Sequence, residues 1–293
     1  MLFLSYLLLY WSYLVFPFLF FIIYRLFKNK KFTKPWVIFF ILSIFYIYIR
    51  FIEPNIILTK EEEIEVWFNA NFVVISDLHL GFFKNKHFLE KIISKINNFE
   101  YIDAVLIPWD FLYNLKANTD LNNLFSPFKK LKYPVYATLG NHDDWFPWPY
   151  MTDKLIIALK NNNVVLLQNE AKRLKNKNVI LLWLWDYTEW EEHVWLLKKF
   201  KETDNLVVIT HTPDTVIYYD SKDIPDITIT GHTHGWQMRV PFLYKHVIPC
   251  KWDFDEWFYN LFWNKIFVSS GLWEVWLPFR LAIPPTIYKI KLN

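Results

Sequence analysis

FVVISDLH, residues 72–79, is the stretch from which the rest of this chain can be read. Its first five residues, FVVIS, form a short uncharged run of the kind found in strands buried on both faces. The run ends in Asp77 and His79, two polar side chains where a buried strand gives way to a loop. HFLEKIISKINNF follows at 87–99, with Leu89, Ile92, Ile93 and Ile96 at helical spacing. AVLIP (104–108), a polar helix-like stretch ending near Leu131, and PVYATLG (134–140) repeat the alternation. Further strand candidates are VVLLQ (164–168), VILLW (179–183), LVVIT (206–210), ITITG (227–231), IFVSS (266–270) and TIYKIKL (286–292). Strands alternating with helices of this length predict an α/β domain whose sheet is covered on its faces. Without an internal repeat or a low-complexity linker, residues 60–293 read as one domain.

Five strand candidates end in residues that bind metals or move protons. ISDLH gives Asp77 and His79, IPWD gives Asp110, TLGNHDD gives Asn141, His142 and Asp143, VITH gives His211, and ITGHTH gives His232 and His234. In open α/β sheets ligands bind outside the carboxyl ends of the strands, so sets far apart in sequence can converge there. Each fragment alone is ordinary, since Asp-x-His and Asn-His-Asp are common in turns and caps, and a lone His211 is a plain polar strand end. His232 and His234 are more telling, because residues two apart on an extended segment face the same side. Five such fragments at five strand ends argue against coincidence. Asp77, His79, Asp110, Asn141, His211, His232 and His234 offer only nitrogen and oxygen donors. They are too many for one tetrahedral zinc and suit two cations sharing a carboxylate, with Mn, Fe, Zn and Mg all acceptable. Two cations ~3.5–4 Å apart polarise a phosphoryl oxygen, hold a hydroxide nucleophile and clamp both oxygens of an in-line displacement. The chemistry expected is phosphate-ester hydrolysis.

The order DLH, an aspartate after a strand, GNHD, a histidine and GHTHG resembles the calcineurin-like metallophosphoesterase superfamily over residues 70–293. With an apolar segment ahead of it, the chain is similar to the bacterial membrane-associated phosphodiesterase branch. The resemblance implies a four-layer α/β/β/α sandwich, two mixed sheets packed together with helices outside. It also implies that Asp77, His79 and His234 bind one metal, that Asn141, His211 and His232 bind the other, and that Asp110 bridges them. His142 would be the catalytic acid beside the leaving group. No arginine follows Asp110 in WDFLYN (109–114), where phosphoprotein phosphatases of the superfamily carry a phosphate-binding arginine. A phosphoprotein substrate is therefore not expected.

Residues 1–59 read as a membrane anchor. Residues 2–24 are uncharged and long enough to span a ~30 Å hydrocarbon core, and lack the basic n-region and small-residue cleavage site of a signal peptide. Residues 36–52 form a second, shorter run in which Arg50 would have to snorkel. The loop between them carries Arg25, Lys28, Lys30, Lys31 and Lys34 and no acid, which places it in the cytoplasm. Two spans then put the catalytic part outside the cytoplasm; a single span would leave it inside. A net charge of +3 gives no argument for a nucleic-acid partner, and the single cysteine, Cys250, excludes an internal disulfide and a thiolate metal cluster.

The chain has 16 Trp and 5 Gly, whereas ordinary usage would give roughly 20 Gly. Trp109 precedes the aspartate of IPWD, Trp236 follows GHTHG, Trp273 and Trp276 sit in GLWEVWLP, and Trp183 and Trp185 flank one leucine. The family has glycine at the positions of Trp109, Trp236 and Trp273, in turns that pass near the metals or need φ > 0. UGA is read as glycine in some bacterial codes and as tryptophan in others, so most of these tryptophans are expected to be recoded glycines, with Trp145 open. Genuine interfacial tryptophans, a reading that suits Trp11 and Trp36, would instead point to a catalytically silent phosphate-binding or scaffold protein. The aromatic stretch 241–263 reads either as a lid touching lipid or as packing against the sheet. The expected protein is a membrane-anchored, di-metal phosphodiesterase or pyrophosphatase acting on an envelope or lipid-linked phosphoester. A nuclease is a weaker reading, since no basic cluster lies outside the loop at 25–34.

Overall fold

The structure, a computed structural model, describes residues 7, 9–29, 33–144, 150–174, 177–184, 193–248, 250, 252, 254–261, 263–274 and 277–293. Trp145, Trp185 and Trp276 lie outside the described residues. In chain order the strands are β1 (Leu58–Ile64), β2 (Ala70–Val74), β3 (Leu80–Gly81), β4 (Ala104–Pro108), β5 (Leu112–Tyr113), β6 (Val135–Thr138), β7 (Val164–Leu166), β8 (Ala171–Leu174), β9 (Val179–Trp183), β10 (Asn205–Ile209), β11 (Ile227–Thr230), β12 (Trp257–Leu261), β13 (Asn264–Val268) and β14 (Thr286–Leu292). The helices are α1 (Val15–Asn29), α2 (Lys34–Ile47), α3 (Lys86–Ile96), α4 (Leu121–Phe125), α5 (Asn141–Asp144) and α6 (Thr152–Asn161).

Two six-stranded mixed sheets form the body, ordered β1-β14-β2-β4-β6-β7 and β12-β13-β11-β10-β9-β8. Period-two alternation on β2 explains why they stack. Phe72 and Val74 point into a core shared with Leu181, Trp183, Val207, Ile209 and Phe267 of the second sheet. Val73 and Ile75 point the other way, onto Leu89, Ile92, Ile93 and Ile96 of α3 and Leu155 and Leu159 of α6. The first sheet is thus apolar on both faces, as its continuous runs require. Among the described residues, the outer face of the second sheet is covered by 3₁₀ turns, with Leu196 and Leu197 packing on Ile180, Leu182, Leu206 and Val208. The layering is the one the family resemblance implied, with one outer layer thinner than expected.

Three main-sheet strands escape the sequence reading. β1, LTKEEEI, pairs in parallel with β14 at the sheet edge, where Lys289 and Lys291 meet Glu61 and Glu63 at 3.2 and 2.9 Å. Its charges suit an edge strand, and they hide it from a search for apolar runs. β8 (AKRL) and β12 (WFYNL) are edge strands of the other sheet.

Two stretches, Leu9–Lys28 and Lys34–Asn55, form helices long and apolar enough to cross a membrane. The second continues α2 through a π-helical turn, Tyr48–Ile52, and a 3₁₀ turn, Glu53–Asn55, and docks directly on the domain. Glu53 is buried and accepts the Ile283 N–H at 2.7 Å, while Ile49 O accepts the Arg280 N–H at 2.9 Å.

Candidate metal centre

Strands β2, β4 and β6 of one sheet run parallel, as do β9, β10, β11 and β13 of the other, so their carboxyl ends open toward common points. Asp77 and His79 follow β2, Asp110 follows β4, His211 follows β10, and His232 and His234 follow β11. These six side chains converge. Ligand atoms of Asp77, His79 and His234 lie within 4.8 Å of one another, and so do those of Asp77, Asp110 and His211. Asp110 Oδ2 stands 3.4 Å from His79 Nε2 and 3.9 Å from His211 Nε2, between the two sets. His234 Nε2 is 3.7 Å from Asp77 Oδ1, and His232 Nδ1 is 2.8 Å from His211 Nε2. Asn141 and His142 lie on α5, directly after β6; the Asn141 side chain is outside the described residues, and the His142 N–H donates to Asp110 Oδ1 at 3.1 Å.

The donors fit cations. Both oxygens of Asp77 and the Nε2 of His79 are buried without a hydrogen-bond partner among the described residues. Burying a carboxylate this way is costly unless a positive charge meets it. Burial pushes the Asp77 carboxyl up to about 7, against the pull of the Arg280 charge. Burial and neighbouring imidazoles drive His79 and His211 well below the ordinary histidine value, and burial with the Arg280 charge does the same to His234. Neutral imidazoles are the form that ligates. Two ring orientations are set by carbonyl groups: His234 Nδ1 faces Trp273 O at 3.0 Å and His79 Nδ1 faces Leu112 O at 3.4 Å. Donating from Nδ1 leaves Nε2 aimed at the centre in both rings.

The backbone is shaped to suit. Asp77, His79, Asp110, His232 and His234 all take positive φ, between 39° and 69°, at about 1–2 kcal/mol each for a non-glycine residue. Such strain persists where the surrounding structure fixes it, and it turns the side chains off the strand ends toward one point. At Gly140 no side chain is possible, since a Cβ there would sit 2.0 Å from Asp110 Oδ1.

Two further groups brace the site: Asp143, which the sequence placed at a strand end without a role, and Arg280, which it did not single out. Asp143, buried behind the site, accepts backbone N–H groups from Phe111 (2.9 Å), Leu112 (2.9 Å) and Gly140 (3.0 Å), bracing the Asp110 loop against the turn that carries His142. Its place beside His142 in GNHDD was the available signal. Arg280, fully buried, donates to the carbonyls of Ile283 (2.7 Å), Gly271 (3.3 Å), Ser270 (3.4 Å) and Trp273, and pairs with Glu274 at 3.3 Å. It thereby fixes the loop whose Trp273 carbonyl orients His234. Nothing in its local sequence marks it.

Tryptophans crowd the centre. Trp109, fully buried with φ 82°, has its ring 5.1 Å from that of His211, and Trp273 has its ring 4.9 Å from that of His79. Trp236, Trp257 and Trp263 also take positive φ, at 47°, 90° and 71°. The indole N–H groups of Trp183 and Trp273 are buried without a partner among the described residues, a cost of about 1–3 kcal/mol each.

The pattern of the family described as calcineurin-like phosphoesterase matches residues 70–236. The chain is similar to an uncharacterized metallophosphoesterase of Campylobacter jejuni, with 28% identity over 77% of this chain and 59% of that protein. It is also similar to the uncharacterized metallophosphoesterase YkuE of Bacillus subtilis, at 24% identity over 84% of this chain and 90% of the relative, and to the phosphodiesterase YaeI of Escherichia coli, at 26% over 50% and 54%. The chain thus spans a little under 60% of the length of its Campylobacter and Helicobacter relatives, 59% in each case. Strand-end carboxylates and imidazoles converging on one buried point, and a matched pattern that runs from β2 through His234, lead to one assignment: the chain belongs to the calcineurin-like phosphoesterase family.

Proposed function

We propose that the chain is a membrane-anchored phosphoesterase using two divalent cations to hydrolyse a phosphodiester or pyrophosphate bond of an envelope or lipid-linked substrate. The observation that carries this reading is the position of Asp110 Oδ2 between His79 and His211, 3.4 and 3.9 Å from their Nε2 atoms, where one carboxylate would serve two cations. When bound, the cations supply Lewis-acid polarisation of the phosphoryl group and a nucleophile available at neutral pH. In this reading Asp77, His79 and His234 hold one cation, Asn141, His211 and His232 the other, and Asp110 both. His142 donates a proton to the leaving oxygen. Burial and the neighbouring His232 lower it to about 4, so its donor form depends on the negative charge of a phosphate beside it. The name of the YaeI relative supports a diester over a monoester. The acid-free basic loop at 25–34 supports a hairpin with the phosphoesterase domain outside the cytoplasm.

Trp109, Trp236, Trp257 and Trp263 belong in this proposal as sites where the organism uses glycine, read from UGA. Their positive φ values support it, because this region of backbone costs an indole-bearing residue strain that glycine does not feel. If the tryptophans are genuine, the packing of Trp109 and Trp273 on ligand imidazoles favours a silent phosphate-binding protein instead.

The test compares two full-length chains in detergent micelles, with added Mn²⁺, on bis(4-nitrophenyl) phosphate: the sequence as written, and one with these four tryptophans and Trp273, whose ring packs on His79, changed to glycine. Hydrolysis by the glycine chain, abolished in His142→Ala, is expected. Inactivity of both chains would count against the enzyme, and UGG codons at these positions would remove the recoding.

A further inference from the structure

The turn after the metal-ligand motif is apolar and open to solvent. Phe242 is 92% exposed, Leu243 64% and Val240 39%, with Lys245 and His246 exposed immediately beyond. Large side chains displayed this way on a soluble surface mark a contact site.

What they contact follows from how the turn is attached. Its base, Gln237 to Arg239, is bonded to the segment Leu277 to Leu281: Leu281 N–H donates to Gln237 O at 2.9 Å, Arg239 N–H to Leu281 O at 3.1 Å, and Gln237 Nε2 to Leu277 O at 3.2 Å. That segment is in turn bonded to the end of the second apolar helix, through Arg280 N–H to Ile49 O and a ring contact of 5.6 Å between Phe279 and Tyr46. Glu53 and Lys84 complete the joint, with Glu53 accepting the Ile283 N–H and Lys84 donating to Pro54 O. An unbroken series of short contacts therefore runs from the helix to the apolar turn, with no linker between. The turn is also tied to the centre, because Arg239 donates to Gly235 O at 2.7 Å, one residue after His234.

We propose that the turn Val240–His246 is a second membrane contact, with Phe242 and Leu243 set in the bilayer interface and Lys245 at the lipid phosphates, so that the metal centre opens at headgroup level. This rests on the reading of the two apolar helices as membrane spans. A short apolar tip flanked by a basic residue is the composition of an interfacial anchor, which settles about 5–10 Å into the headgroup and acyl boundary. The helix joint fixes its height, since a domain bonded to Ile49 and Glu53 cannot stand away from the surface.

The experiment places a single environment-sensitive fluorophore on the full chain, in a Cys250→Ser background, in phosphatidylglycerol nanodiscs with and without lipids brominated near the headgroup end of their chains. Three positions are compared: Phe242→Cys, Ile41→Cys in α2, and Tyr101→Cys, exposed in the loop ahead of β4, at the strand ends opposite the metal centre. Bromolipid quenching at 242 comparable to that at 41, with none at 101, is expected. Quenching at 41 but not at 242 would overturn the proposal while leaving the membrane anchor in place. Absence of quenching at 41 would remove the anchor and the proposal with it.

Discussion

Replacing Asp143 should loosen the site without touching a ligand. Its carboxylate is buried and accepts three backbone N–H groups, with Oδ1 serving Phe111 and Leu112 and Oδ2 serving Gly140. Asp143→Ala strands all three donors, and a hydrogen bond to a charged group contributes about 1.5–3 kcal/mol. Since such losses are not additive and the loops relax, the expected destabilisation is about 3–5 kcal/mol, a large share of the ~5–15 kcal/mol of a typical domain. Asp143→Asn can keep an oxygen toward Phe111 and Leu112 but turns an NH₂ toward Gly140, so its loss should be smaller, about 1–3 kcal/mol. The consequence for the site follows from the positions braced: Phe111 and Leu112 follow Asp110, Leu112 O orients His79, and Gly140 precedes Asn141 and His142. The Mn²⁺ concentration giving half-maximal hydrolysis of bis(4-nitrophenyl) phosphate should rise roughly 10–100-fold in Asp143→Ala, the range found when groups behind metal ligands are lost. Thermal unfolding of the metal-free chain in micelles, read beside that Mn²⁺ titration, checks both effects. An Ala variant that melts with the parent chain and keeps its Mn²⁺ dependence would refute the reasoning.

Other perturbations have equally definite outcomes. Gly140→Ala puts a Cβ 2.0 Å from Asp110 Oδ1, so Mn²⁺-dependent hydrolysis should disappear, and a variant retaining it would show that the Asp110 loop yields. Arg280→Met leaves Glu274 with the longer 3.9 Å contact to Lys84, strands several carbonyls in a dry environment and should cost about 3–5 kcal/mol, read as a lower melting temperature. For the metal-free chain the pH dependence has a sign. Asp77, raised to about 7, contributes stability that is full below its unfolded value of about 4 and lost as pH rises through about 7. His79, His142, His211 and His234, all lowered, contribute stability present above about 6.5 and lost as pH falls, toward about 4 for His142. Four histidines outweigh one aspartate, so chelator-treated protein should melt at lower temperature at pH 5 than at pH 7; the opposite order would count against neutral imidazoles at the centre.

Much of the first sheet and of the centre was legible because burial and chemistry leave separate marks. Strands buried on both faces read as continuous apolar runs, and AVLIP and VILLW match β4 and β9 residue for residue. Asp77, Asp110 and His211 stood out because a polar side chain directly after such a run has few structural uses. β1 was not legible, since its glutamates are satisfied by lysines more than two hundred residues away on β14. The Arg280 joint was hidden for a related reason: its partners are mostly carbonyls, which carry no sequence signal. Nor does an amino-acid pattern reveal that five of the proposed ligands take positive φ, because the strain belongs to the assembled site.

The central claim is that Asp110 is shared by two cations, and the most direct measurement of it is the metal content of the full chain after equilibration with Mn²⁺ and removal of the excess. The account predicts two Mn²⁺ per chain, with at least one lost in Asp110→Asn together with hydrolysis of bis(4-nitrophenyl) phosphate. One Mn²⁺ or none in the parent chain, or two retained in Asp110→Asn, would contradict it.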